Sequence, residues 1–181
     1  MSRKALTELS KTLSYHLRHD PAVQRDTEGY VSLATLPIHA PIEWVQQIVR
    51  ESDKQRFTLQ ERADGWYIRA NQGHSATIAN QLADEAMLTR LTDPIEGVFH
   101  GTYRQHLPAI QRDGLNRMSR KHIHIAKSHT AISGQRATCD VFLYIDMARA
   151  MADGIIFYES ANGVILTEGI DGVLPPTYFH E

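Results

Sequence analysis

The apolar residues of this chain change their spacing once, near the middle, and that change limits the fold more than any other feature. Before it, Leu6, Leu9, Leu13 and Leu17 recur three and four apart, the stripe of a helix packed on a core. Asp20-Pro21 ends that helix, because proline disfavours helical geometry in the residue before it. A second helix is expected from Pro41 through PIEWVQQIVRES, with Ile42, Val45 and Val49 inward, since proline suits a first turn. RFTLQERADGWYIRA then alternates Phe57 and Leu59, turns at Asp64-Gly65, and alternates back through Trp66 and Ile68, a hairpin signal. GHSATIANQLADEAMLTRL reads as a connecting helical stretch, and TDPIEG (Thr92 to Gly97) as a boundary. Beyond it, short strands appear at VFHGT, HIHIA, VFLYI, GIIFY and GVILT, with helical pieces near LPAIQRDG and DMARAMADG.

This pattern predicts an α+β chain in two lobes. Residues 1-92 carry helices followed by a two-stranded wing, a winged-helix-like arrangement, and 93-181 form a strand-rich lobe. No internal repeat or low-complexity tract interrupts either.

Composition narrows the function classes. Apolar content of 42% with 22% charged residues is ordinary for a folded globular chain. No apolar run approaches the roughly 20 residues a membrane span needs, and MSRKALTELS lacks a signal-peptide core. Cys139 is the single cysteine, so no intramolecular disulfide forms. A reducing, cytoplasmic setting is expected, with Cys139 a buried bystander. A net charge of −2 and a pI near 6.5 exclude binding nucleic acid through an overall basic field, so any polyanion site must be local. Ten histidines fall into no zinc pattern. His122 and His124 alternate without a second cluster, and no metal is expected.

Individually, the polar candidates have ordinary explanations. Arg18-His19 at a helix C-terminus complements the negative end of the helix dipole. Arg69 closes a hairpin strand and could be a solvated edge charge. Arg136 lies in the small-residue stretch ISGQRAT, where loop exposure is the default. HGT (His100 to Thr102) differs in kind, because a strand ending on a glycine lets a ligand approach the backbone. No GxGxxG follows a strand and no GxxxxGK[ST] is present, against a Rossmann site and a P-loop.

Taken in order, LSKTLSYHLRHDP, IRANQGHS, HGT, GLNRMSRKHIHIA, GQRATCDVFLYID and ANGVILTEGIDGVLPPTYF resemble the motifs of the RNA 2′-phosphotransferase family, also called tRNA 2′-phosphotransferase. The resemblance runs from Leu9 to Phe179. It implies a winged-helix RNA lobe joined to an ADP-ribosyltransferase-like lobe that binds NAD, and a catalytic set of Arg18, His19, Arg69 and Arg136. The implied reaction moves an internal RNA 2′-phosphate to NAD through an ADP-ribosylated RNA 2′-phosphate. It yields 2′-hydroxyl RNA, nicotinamide and ADP-ribose 1″,2″-cyclic phosphate. Guanidinium groups suit such a substrate because they stay charged and hold phosphate oxygens in pairs. His19 alone of the four exchanges a proton near neutral pH, as acid or as base.

The resemblance also implies NAD contacts. His100 looks like the histidine that holds the NAD ribose, with Gly101 and Thr102 near the nicotinamide amide or adjoining ribose. His124 stands where many relatives carry a tyrosine that stacks on nicotinamide, and Arg120 resembles a pyrophosphate-side contact. Ser128 and Ser133 are further candidates, with ordinary loop serines as the alternative. Where many ADP-ribosyltransferases carry a glutamate, ANGVILTEG has Val164, an apolar residue expected to leave the ribose 2″-hydroxyl free to react. The expected partners are NAD and RNA bearing an internal 2′-phosphate, spliced tRNA being one such RNA, acted on by a monomer. Two alternatives stay open: an ADP-ribosyltransferase acting on protein or terminal nucleic-acid phosphates, and a winged-helix DNA-binding regulator. Against the latter, PIEWVQQIVRESDK balances Arg50 and Lys54 with Glu43, Glu51 and Asp53.

Overall fold

The leucine stripe builds α1, Arg3–Arg18, whose N-terminus is capped by the Ser2 hydroxyl accepting the Ala5 N–H at 3.2 Å. The computed structural model describes residues 1–180. Leu13 and Leu17 are fully buried, with Leu6 and Leu9 packed at the margin of the same core. The helix ends as the His19 N–H donates to the Tyr15 carbonyl.

A helix leaves its last carbonyls without partners inside the helix. Here a buried guanidinium, 9% exposed, takes them up. Arg25 Nε donates to the Leu17 carbonyl and Nη1 to the Val23 carbonyl, both at 2.9 Å. Its Nη2 donates to the carbonyls of His16 and Asp20. His16 Nδ1 meets Asp20 Oδ2 at 2.7 Å, one turn along. Hydrogen bonding to His16 holds the Asp20 carboxyl below its ordinary value.

Helix α2, Ile42–Glu51, starts after Pro41 as expected. It buries Val45 and Ile48 most deeply, while Ile42 and Val49 are partly covered. The inward face is therefore centred on Ile48 rather than Val49, three residues after Val45, where a 3.6-residue turn also points to the core. Strand β1, Val31–Ser32, pairs antiparallel with β3, Gly65–Ala70, which pairs with β2, Phe57–Arg62. In the hairpin Phe57 faces Ala70 and Leu59 faces Ile68. The pairing of Arg62 with Gly65 puts the two-residue turn at Ala63-Asp64, one residue earlier than expected.

GHSATIANQLADEAMLTRL is not one helical stretch. A 3-10 turn spans Ala76–Gln81, and Leu82 is extended at φ −108° and ψ 145°. A single turn, α3, covers Asp84–Met87. The chain divides into two compact units, Met1–Met87 and Leu88–Glu181. The division precedes Thr92 because Thr89–Arg90 already forms a strand of the second unit.

That unit contains a six-stranded sheet. Its strands are β4 (Thr89–Arg90), β5 (Phe99–Thr102), β7 (Ile123–Ala126), β8 (Val141–Tyr144), β9 (Tyr158–Glu159) and β10 (Val164–Thr167), in the order β4-β9-β10-β7-β5-β8. A small ladder joins β6 (Leu115–Asn116) to β11 (Val173–Leu174). Every named pairing is antiparallel. Helices α4, Leu107–Asp113, and α5, Met147–Ala152, supply the expected helical pieces. Ile125, Ile145, Phe157, Ile165 and Leu174 centre the core. GIIFY enters the sheet only at Tyr158, after an exposed Ile156 and a buried Phe157. The chain is thus a mixed α/β structure with antiparallel sheets, and no described helix is long and apolar enough to cross a membrane.

Arg25→Met keeps an unbranched apolar stem but removes every donor, leaving the carbonyls around the end of α1 short of partners. A loss of about 2–4 kcal/mol is expected in urea unfolding; an unchanged midpoint would contradict the role assigned to Arg25.

Candidate functional site

The two units each gather part of the expected residue set. In the first, Arg18 and His19 form the end of α1, and Arg69 lies on β3. The segment Asn71 to Ser75 carries the chain from β3 back to α1. Ser75 closes the distance: its N–H and its hydroxyl both donate to the Arg18 carbonyl, at 2.9 and 3.1 Å. Asn71 anchors the other end, accepting from Thr58 Oγ1 at 2.6 Å and donating from Nδ2 to the Gln55 carbonyl at 2.8 Å. The segment is buried along its length. IRANQGHS and LRHDP, far apart in sequence, are therefore one local structure.

Arg69 is held differently from an ordinary surface arginine. Its Cζ lies 4.8 Å from the centroid of the Tyr30 ring, and Nη1 donates to the Glu28 carbonyl at 3.3 Å. Its Nε is buried with no hydrogen-bond partner among the described residues. Tyr15 is exposed, with its ring centroid 5.2 Å from that of His16 and 6.4 Å from that of His19.

In the second unit the sheet positions His100, Gly101 and Thr102 on β5, opposite Leu143, Phe142 and Val141 of β8. His100 Nδ1 lies 2.8 Å from the His124 carbonyl on the neighbouring strand. A carbonyl only accepts, so Nδ1 carries the proton and Nε2 of the neutral ring is left as an acceptor. Burial pushes the His100 imidazole below its ordinary value, the hydrogen bond to His124 opposes this, and the charge of Arg136 adds to it. His100 is thus a neutral ring at pH 7, suited to accepting from a hydroxyl.

The segment carrying Arg136 folds down onto β5 and β7. His129 stacks on Phe99 with centroids 4.2 Å apart, and its Nε2 meets the Tyr144 hydroxyl at 2.8 Å. A Cβ on Gly134 would sit 3.1 Å from the Ala126 Cα, and one on Gly101 would sit 2.8 Å from Cys139 Sγ. A side chain at 101 would therefore have to displace the thiol of the half-buried Cys139. Tyr103 Oη pairs with Thr138 Oγ1 at 2.7 Å, and this contact, with Arg136 nearby, lowers the Tyr103 phenol below its ordinary value. Arg120 is stationed by Arg117, whose Nη1 donates to the Arg120 carbonyl at 3.0 Å. Burial lowers the Arg120 guanidinium, and the like charge of Arg136 lowers it further. The charge of Arg136 thus reaches both the His100 imidazole and the Arg120 guanidinium, a donor set of the kind that can hold an anion.

The remaining candidates differ in placement. His124 lies on β7 opposite Leu166, and Val164 is fully buried on β10 opposite Ala126. Ser133 is buried, whereas Ser128 is exposed and pairs with Thr130 Oγ1 at 3.1 Å. Residues that sequence reasoning missed are Arg25, Tyr30, Tyr103 and His129. A cation a few residues past a predicted helix end was the available sign for Arg25. The ring partners depend on cross-strand register and left no local sign.

His100 also gives the unit a pH dependence. Its folded value is depressed, so below about pH 6.5 the unfolded chain binds more protons and stability falls as pH drops. His100→Asn, which keeps a donor near Nδ1 and cannot titrate, should flatten thermal stability between pH 7.5 and 5.5. An identical slope in both proteins would assign the effect elsewhere.

The family described as RNA 2′-phosphotransferase, Tpt1 / KptA family, matches residues 4–169 of the chain. The "tRNA 2′-phosphotransferase 1" of Danio rerio is 41% identical over 94% of this chain and 82% of its own length. A "Putative tRNA 2′-phosphotransferase" of Schizosaccharomyces pombe is 41% identical over 98% of this chain, which spans 51% of that relative. A "Probable RNA 2′-phosphotransferase" of Acaryochloris marina is 37% identical over 97% of both chains.

Proposed function

The chain belongs to the RNA 2′-phosphotransferase, Tpt1 / KptA, family, and from that premise we propose that it removes an internal 2′-phosphate from RNA at the expense of NAD. On this reading the first unit is a winged-helix RNA lobe and the second an ADP-ribosyltransferase-like NAD lobe. The observation that carries it is the Ser75 tie, which makes Arg18-His19 and the strand bearing Arg69 a single structure.

NAD supplies an electrophilic ribose carbon, with nicotinamide as the leaving group. The residues of the second unit fit it: His100 offers Nε2 to a ribose hydroxyl, and Arg120 offers charge to the pyrophosphate. Val164 presents no carboxylate to the 2″-hydroxyl. Arg18 and Arg69 hold the oxygens of the RNA 2′-phosphate, which is already anionic and needs placement more than activation. The same cations offset the charge that gathers on the phosphoryl group as it passes to the 2″-hydroxyl. His19 exchanges the proton of that hydroxyl or of the phosphate. The products are 2′-hydroxyl RNA, nicotinamide and ADP-ribose 1″,2″-cyclic phosphate.

An oligonucleotide with one internal 2′-phosphate should lose it only when NAD is present. Arg18→Ala, His19→Ala, Arg69→Ala and Arg136→Ala should each lower the rate by about 10²–10³. An ADP-ribosylated RNA that persists in the wild-type reaction would instead indicate transfer that stops after one step. Retention of the phosphate with NAD present would refute the proposal.

A further inference from the structure

Tyr30 is a buried ring, 6% exposed, that the reaction described above does not use. It directly precedes β1. Extending the pairing of Val31 with Ile68 by one residue places Tyr30 across from Arg69. The Arg69 Cζ lies 4.8 Å from the ring centroid, within the range of a cation–π interaction.

The backbone that carries the ring is itself firmly held. Asp26 Oδ1 accepts the Tyr30 N–H at 2.8 Å and the Glu28 N–H at 3.0 Å. The Asp26 N–H donates to the Tyr30 carbonyl at 3.0 Å. The other Asp26 oxygen accepts from Arg62 Nη2 at 2.9 Å. That second guanidinium has its Cζ 5.1 Å from the Tyr30 ring and 4.1 Å from the Tyr67 ring. The two arginines on this ring are thus treated differently. Arg62 has a carboxylate, whereas Arg69 has the ring and one backbone carbonyl and no carboxylate among the described residues.

The difference has a chemical meaning. A carboxylate would both orient a guanidinium and compete with any phosphate for its donors. An aromatic face orients the cation through the ring quadrupole and accepts no N–H bond in the guanidinium plane. We propose that Tyr30 is the positioning residue for Arg69, holding its charge in place while leaving to the phosphate oxygens of the RNA those in-plane donors that the Glu28 carbonyl does not take and that are not buried. The proposal rests on the phosphotransfer reading above and adds to it a residue that touches neither RNA nor NAD.

The test replaces the ring in steps in the full-length protein, with melting temperatures measured throughout. Tyr30→Phe keeps the aromatic face and should stay within about twofold of wild type. Tyr30→Leu should lower kcat for 2′-phosphate removal about tenfold, with KM for NAD unchanged. Phenylalanines with increasing fluorine at position 30 keep the shape but cancel the negative face, so kcat should fall with each added fluorine. In an Arg69→Ala background, Tyr30→Leu should cause no further loss. The proposal is overturned if the fluorinated series matches Tyr30→Phe, or if Tyr30→Leu costs as much without Arg69 as with it. Should Tyr30→Leu fail to fold, the fluorinated series decides. Failure of the underlying reading would look different: wild-type protein would leave the 2′-phosphate in place.

Discussion

The arrangement of the first unit depends on what satisfies the C-terminal end of α1. That end carries Arg18 and His19, and its carbonyls would otherwise turn to water. Arg25 takes those of His16 and Leu17, together with the Asp20 and Val23 carbonyls just beyond the helix, and Ser75 takes that of Arg18. The cost of burying a guanidinium is visible in the lowered value of Arg25, and the hydrogen bonds offset it. Paired backbone on both sides leaves Arg18 and His19 little freedom to drift, which suits the role proposed for them in a reaction sensitive to displacements of an ångström.

Three arginines of this protein are held without a carboxylate partner among the described residues. Arg25 is held by carbonyls, Arg69 by a ring and a carbonyl, and Arg136 beside Tyr103. By contrast, arginines outside the candidate set, such as Arg62, Arg56 and Arg112, have aspartates. A charge held by a dipole or a ring keeps most of its field, and a charge held by a carboxylate does not. A protein with net charge −2 can in this way present a locally positive surface to a phosphate.

Much of this was legible in the residues. The Leu6-to-Leu17 stripe and the Phe57-to-Ile68 alternation gave α1 and the hairpin because local periodicity follows burial directly. Errors arose where tertiary contacts overrode local signals. Leu82 interrupts an otherwise helical stretch, Thr89-Arg90 joins a strand 70 residues away, and GIIFY contributes a single strand residue. The catalytic candidates came from motif order, which carries placement without geometry. Tyr30 and His129 act through rings brought together by register and loop packing, and no spacing rule encodes either contact.

Each hydrophobic core closes within its own unit, Leu13 and Ile68 in one and Ile125 and Phe157 in the other. Both tryptophans of the chain, Trp44 on α2 and Trp66 on β3, belong to the first. Intrinsic indole fluorescence is therefore a built-in dye for half the molecule. It follows the unit bearing Arg18, His19 and Arg69, while the second unit, which holds no indole, stays silent when tryptophan alone is excited.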